Sequence, residues 1–137
     1  MLNFIFDHWV GILLASVAAI IVAGIWYSPI AFGKAWQKEA KIKDKDLRGG
    51  SPIKYLVALL MILLTAVVLE RFMVITNPQS MYEAAKVAAW IWLGFVVTYA
   101  VAGGLFEKVS IKLMLIDLSG QFFILAAMGA TLYAVGF

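Results

Sequence analysis

The chain has 137 residues, of which 64% are hydrophobic and 14% are charged, with a formal net charge of +3 and no cysteine. A soluble domain is about half apolar and about a quarter charged, so this chain lacks the polar side chains needed to cover a surface in water. The lack of cysteine excludes disulfides, thiolate metal sites and thiol catalysis.

Four apolar stretches account for the hydrophobic excess, and each is close to the roughly 20 residues that cross a bilayer core as a helix. None shows the polar alternation of a membrane β-strand. We therefore predict an all-α membrane protein, with four transmembrane helices in a compact bundle that forms one integral membrane domain over residues 1–137. The predicted spans are residues 9–28, 52–76, 81–106 and 111–136.

The first stretch predicts an uncleaved helix. Its front end holds Asp7 and His8 but no Lys or Arg, whereas a signal peptide has a basic front end. Trp26 and Tyr27 mark its exit, since such aromatic residues are typical of the headgroup level. Pro29 disfavours helical geometry at the preceding residue and predicts the end of the span.

Residues 34–50 form a charged loop, which Gly33 joins to the first span by permitting a turn of the backbone. From Lys34 onward, Trp36 and alanines alternate with charged residues. Two structures fit this pattern: a short helix in the membrane interface with its aromatic side in lipid, and a solvated loop anchored by Trp36. Acidic residues interleave with the basic ones, which argues against a nucleic-acid partner.

The basic residues are distributed unevenly among the loops. Nine of the eleven lie in or beside the first and third loops, and two lie near the second: Lys34, Lys38, Lys41, Lys43, Lys45, Arg48, Lys54, Lys108 and Lys112 against Arg71 and Lys86. We predict a protein of the cell (inner) membrane. The positive-inside rule places its loops one and three on the cytoplasmic side and both termini on the outer side. We also expect the basic first loop to favour anionic lipid headgroups.

The remaining helices carry recognisable start signals. Ser51 followed by Pro52 predicts an N-cap with proline in the first turn. Ser80 and Glu83 have the spacing of a capping box, in which each side chain accepts from the other's backbone amide. Ser110 is the predicted N-cap of the fourth helix.

Asp117 is the sharpest candidate for a functional residue, because an acid within a span is costly. Gln121 lies four residues later and shares its helix face. One interpretation is a proton or cation site formed by these two residues. The other is a structural hydrogen bond to a neighbouring helix, or an aspartate wet enough to stay charged, since Asp117 is only about 7.5 Å beyond Lys112 along the axis. The second interpretation is favoured.

Other polar residues within the spans have structural interpretations first. Glu70 and Arg71 are adjacent and point in different directions, so we expect both to snorkel to the surface; a buried partner across the bundle is the alternative. Thr98 and Tyr99 give the third helix a polar edge that indicates packing before it indicates a pocket. A stripe of small residues on the fourth helix predicts close helix packing: Ser119, Ala126, Ala130 and Ala134.

No pattern indicates catalysis. The chain has no Ser-His-acid set, no glycine-rich phosphate loop and no metal-ligand spacing, and a lone His8 cannot bind a metal alone. We predict a protein that is not an enzyme and that carries no metal or other cofactor.

The exit of the first span resembles a known family. The residues Trp26, Tyr27, Ser28 and Pro29, followed by Phe32, Gly33, Lys34 and Trp36, are similar to the small membrane proteins grouped as domain of unknown function 1761. The stretches 92–95, 105–108 and 117–121 fit the later spans of that family. The resemblance implies four spans and no established activity.

Two functions are consistent with these features. The first is a non-enzymatic homo-oligomer or small accessory subunit of a membrane complex, in which a partner covers Asp117 and Gln121. The alternative is a small transporter or channel with a proton or cation site at those residues. The aromatic–proline segment of the first exit is predicted to be structural under both.

Overall fold

The structure, a computed structural model, describes residues 2–49 and 51–137. It contains seven α-helices and one π-helical segment in the described residues: α1 (Leu2–Trp26), α2 (Gly33–Ala40), α3 (Asp44–Arg48), α4 (Pro52–Thr76), α5 (Met81–Ile91), the π-helical segment (Trp92–Val97), α6 (Thr98–Phe106) and α7 (Ile111–Val135). The predicted end of the charged loop, Gly50, lies outside the described residues.

Four helices are long and apolar enough to cross a membrane, which confirms the predicted all-α, four-span architecture. They are α1, α4, the continuous helix Met81–Phe106, which we call the third span, and α7. No strand occurs in residues 2–49 or 51–137. The helix that contains the first predicted span begins seven residues before residue 9, at Leu2, and this extension brings Phe4 and His8 into the bundle.

The start signals act largely as predicted. Ser51 Oγ accepts from the Ile53 amide at 3.3 Å, and Ser110 Oγ accepts from the Leu113 amide at 3.1 Å. Ser80 Oγ accepts from the Glu83 amide, but the Glu83 carboxylate accepts from the amide of Gln79 rather than that of Ser80. The reciprocal half of the predicted capping box is therefore wrong by one residue.

The fourth long helix, α7, lies at the centre of the bundle and packs against α1, α4 and α5. Small residues allow these helices to approach closely, as is common in membranes. A Cβ atom at Gly129 would lie 3.1 Å from the Ala84 carbonyl oxygen and 3.4 Å from the Ala88 Cβ. Ala15 and Ala19 of α1 and Ala66 of α4 are fully buried in the same core.

The first half of α4 stands apart from this core. Every residue from 51 to 61 is exposed, whereas Ala66, Leu69, Glu70 and Met73 in its second half are buried. A cleft of about 240 Å³ consequently opens between α1, α4 and α7, with Met61, Thr65 and Gln121 in its wall.

Candidate functional site

One turn of α7 is held by aromatic side chains from α1, from the turn after α1 and from the π-helical segment. Trp26 Nε1 donates to the Ile116 carbonyl at 3.0 Å, Tyr27 Oη donates to Asp117 Oδ1 at 2.8 Å, and Trp92 Nε1 donates to the Leu118 carbonyl at 2.8 Å. We call Trp26, Tyr27 and Trp92 the aromatic clamp. Its bonds reach three successive residues of α7, so the clamp fixes both the position and the rotation of that helix.

Two glycines make room for the clamp. A Cβ atom at Gly120 would lie 2.7 Å from the indole nitrogen of Trp26, so only glycine lets the ring lie on α7. A Cβ atom at Gly33 would lie 2.7 Å from the Ser28 carbonyl oxygen and closer still to that of Tyr27. The Gly33 amide donates to that Ser28 carbonyl at 2.9 Å, which closes the turn after Pro29.

This turn directs α2 back onto the bundle. Trp36 packs edge-on against Tyr27 with 4.9 Å between ring centroids, and Phe32 packs on Trp26 at 4.5 Å. Ser110 Oγ donates to Glu39 Oε2 at 3.0 Å, so the end of α2 is joined to the start of α7. The helical form of the predicted segment is confirmed by α2, while α3 is a further short helix that the sequence did not indicate.

Asp117 and Gln121 do not form one site within the chain. Asp117 is half-buried, bonded to Tyr27, and lines a cleft of about 300 Å³ together with Tyr99 and Glu107. Gln121 is exposed and lines the separate cleft between α1, α4 and α7. Of the two interpretations of Asp117, the hydrogen bond to another element is the one observed.

A second polar cluster lies at the opposite end of α1. His8 Nδ1 lies 2.8 Å from Glu70 Oε1, and Glu70 is only 1% exposed. Phe4 stacks on the His8 ring with 4.5 Å between centroids, and the Arg71 guanidinium lies 5.4 Å from the centroid of the Phe4 ring. Phe4, His8 and Gly11 share one face of α1, and together with Glu70 and Arg71 we call them the His8–Glu70 cluster.

The prediction that Glu70 snorkels to the surface is therefore wrong. Its helix position faces α1, and the early start of α1 supplies an imidazole across the bundle, so the alternative of a buried partner is the one observed. Arg71 is exposed, as predicted, and rests on an aromatic ring. The sequence alone assigns neither His8 nor Trp92 to a site. For His8, the available signal is that the sole histidine and a span acid, Glu70, both lie near the same predicted end of the bundle.

The remaining candidates make no side-chain hydrogen bond to either cluster among the described residues. Thr98 and Tyr99 are exposed, and the Thr98 hydroxyl donates to the Gly94 carbonyl of its own helix at 2.7 Å. Three residues of the small-residue stripe on α7 are half-buried and the last is exposed: Ser119, Ala126 and Ala130, then Ala134. The stripe lies outside the core and stays a prediction for contacts beyond this chain.

A bundle of four apolar helices, with its polar side chains joined between helices at both ends, defines an integral membrane protein. Residues 10–133 match the family model described as Protein of unknown function (DUF1761), so the chain belongs to this family. No curated protein and no solved structure matches the chain.

Proposed function

We propose that this protein is a non-enzymatic membrane protein that works as a homo-oligomer, with the cleft at Gln121 as part of the contact between copies. The observation that carries the proposal is the position of Gln121. Its side chain is exposed in the middle of α7, and it has no hydrogen-bond partner among residues 2–49 and 51–137.

The apolar surface of the bundle gives no such argument, because lipid covers apolar side chains as well as protein does. An amide is different. Gln121 lies ten residues, or about 15 Å, beyond the start of α7, where the hydrocarbon core offers it no hydrogen bond. A polar group from another protein segment would satisfy it.

Gln121 also favours a second copy of this chain as that partner. An amide side chain has both a donor and an acceptor. Two copies related by a two-fold axis would therefore place complementary groups opposite each other. The exposed first half of α4 borders this region, since Met61 lines the same cleft, and it offers surface for close helix contact.

The non-enzymatic part of the proposal rests on the chemistry of the chain. It has a single histidine and no cysteine, and Glu70 and Asp117 are hydrogen-bonded to side chains of α1 and of the turn that follows it. A transporter with a joint site at Asp117 and Gln121 is not the function we propose, because these side chains line separate clefts. If the chain were instead a subunit of a larger complex, a different protein would supply the hydrogen-bond partner of Gln121.

The test is self-association in lipid vesicles, measured by single-molecule photobleaching over a range of protein-to-lipid ratios. We expect the wild-type chain to dimerise or form a larger oligomer. Gln121→Leu should weaken association about 3- to 20-fold, as expected for one hydrogen bond of about 0.6–1.7 kcal/mol between membrane helices. Leu115→Ala, which changes a 61% exposed residue of the same helix, is the matched control.

A wild-type chain that stays monomeric at every ratio would contradict the homo-oligomer. Equal weakening by Gln121→Leu and by the control would remove Gln121 from the interface.

A further inference from the structure

Glu70 is the most completely buried charged residue described in the bundle, and half of its carboxyl group is unused. Oε1 lies 2.8 Å from His8 Nδ1, whereas Oε2 has no hydrogen-bond partner among the described residues. Gly11 lies against this free oxygen, since a Cβ atom there would be 3.6 Å from Oε2. We propose that His8 and Glu70 form a proton-binding site that exchanges with the aqueous phase through His8.

The geometry provides two positions for an added proton. The first is His8 Nε2, because the 2.8 Å contact between Nδ1 and Glu70 Oε1 already requires one proton between these atoms. The second is Oε2, which can be protonated without breaking the bond to His8. The site therefore binds and releases a proton while the contact between α1 and α4 persists.

The charge of the pair shows why a proton is the ligand. A neutral imidazole and a carboxylate together carry one negative charge, one added proton makes the pair neutral, and a second makes it positive. A net charge in a buried position is costly unless it is compensated. Each change in the number of bound protons therefore changes the free energy of the bundle.

Among the described residues, no other ionisable group is hydrogen-bonded to the pair. From α1, Asp7 is exposed and points elsewhere on the helix; from α4, Arg71 rests on Phe4. The groups contributed at this end by the third span and α7 make other contacts or are exposed: Tyr82, Glu83, Lys86 and Tyr133. Within the described residues none of them is hydrogen-bonded to His8 or Glu70.

His8 provides the route to water. Its side chain is 22% exposed, against 1% for Glu70, and the Phe4 ring is stacked on it. A proton from the surface can therefore bind the imidazole first and then pass along the 2.8 Å contact to the carboxyl group.

The sole histidine makes this proposal directly measurable. The chain has one imidazole, so the ¹⁵N resonances of a histidine-labelled sample report on His8 alone if purification uses a streptavidin-binding tag instead of polyhistidine. The protein is placed in phosphatidylcholine nanodiscs and titrated from about pH 5 to about pH 9, the range in which imidazole changes charge.

We expect the imidazole resonances to change with pH in the wild-type protein. Glu70→Gln keeps the size and the acceptor oxygen but cannot bind a proton, and it should change the proton concentration at half-titration by at least about tenfold. Asp7→Asn removes the neighbouring exposed acid and should change it less than about twofold. A wild-type imidazole that does not titrate, or equal titrations of Glu70→Gln and the wild type, would overturn the proposal.

A second measurement covers the case in which Glu70→Gln does not fold. The melting midpoint of the wild-type protein in nanodiscs should vary with pH over the same range, and His8→Asn should remove most of that variation. A wild-type midpoint independent of pH, or an unchanged pH profile in His8→Asn, would reduce the pair to a structural hydrogen bond.

Discussion

Glu70 and Asp117 are acids within spans that are hydrogen-bonded to another segment of the chain. They show how far the roles of single residues can be predicted from the sequence. The sequence identifies Asp117 as an intramembrane acid, but it identifies the partner, Tyr27, only as an anchor. It predicts Glu70 at the surface because a carboxyl beside Arg71 near a helix end commonly reaches water. Which way an acid points depends on what lies opposite, and His8 lies 62 residues away in the chain. Local patterns carry no information about such a partner.

The Tyr27–Asp117 bond makes a prediction at this scale. Tyr27→Phe removes the donor and leaves Asp117 Oδ1 without its partner, so it should lower the free energy of unfolding by about 0.6–1.7 kcal/mol. Denaturation in sodium dodecyl sulfate, followed by tryptophan fluorescence, measures this loss. Tyr99→Phe removes the same hydroxyl from an 82% exposed residue and is the control. Equal losses in both variants would mean that the bond to Asp117 contributes nothing.

The elements themselves were largely predictable, because span length and capping residues are local properties. The four long helices and the caps at Ser51 and Ser110 follow from apolar runs and from serine at helix starts. The π-helical turn at Trp92–Val97 was not predictable. It begins at the tryptophan that bonds the Leu118 carbonyl of α7, and such irregular turns in helices frequently occur at special contacts.

The turn between α1 and α2 gives the element-scale prediction. Gly33→Ala would place a methyl group against the Tyr27 and Ser28 carbonyl groups, and backbone atoms cannot move aside as a side chain can. We expect a loss of about 1–3 kcal/mol in the free energy of unfolding, measured in the same denaturation experiment. A helical glycine with nothing within 4 Å, Gly24, provides the control, since Gly24→Ala should cause no loss. A Gly33→Ala protein as stable as the control would contradict the close approach.

In the molecule as a whole, side-chain contacts join the helices at both ends of the bundle. At one end the aromatic clamp bonds to α7, and at the other His8 of α1 contacts Glu70 of α4. The aromatic clamp and the Glu39–Ser110 bond lie at the end of the bundle that holds loops one and three. These loops share an end because two spans lie between them. Which end faces the cytoplasm stays a prediction from the basic residues of those loops. The expected preference of the first loop for anionic headgroups depends on the same charges.

The orientation is open to a direct experiment because the chain has no cysteine. Lys38→Cys in α2 and Gln79→Cys between α4 and α5 each introduce one exposed thiol at opposite ends of the bundle. In intact cells, a membrane-impermeant maleimide should label Gln79→Cys and should label Lys38→Cys only after the membrane is opened. The reverse pattern would place the basic loops outside.

The residues of the aromatic clamp on α1 and in the turn after it are distant in sequence from their partners, which constrains the order of contact formation during synthesis. Trp26 and Tyr27 leave the ribosome early, yet each is bonded to a residue 90 positions later in the chain. At about 5–20 residues per second, synthesis of the intervening chain takes about 5–18 s. Throughout that interval the indole of Trp26 and the phenol of Tyr27 lack these partners, although the local bond between Gly33 and Ser28 can already form. Trp26 and Tyr27, at the end of the first helix, therefore form these hydrogen bonds only after α7 has been synthesised.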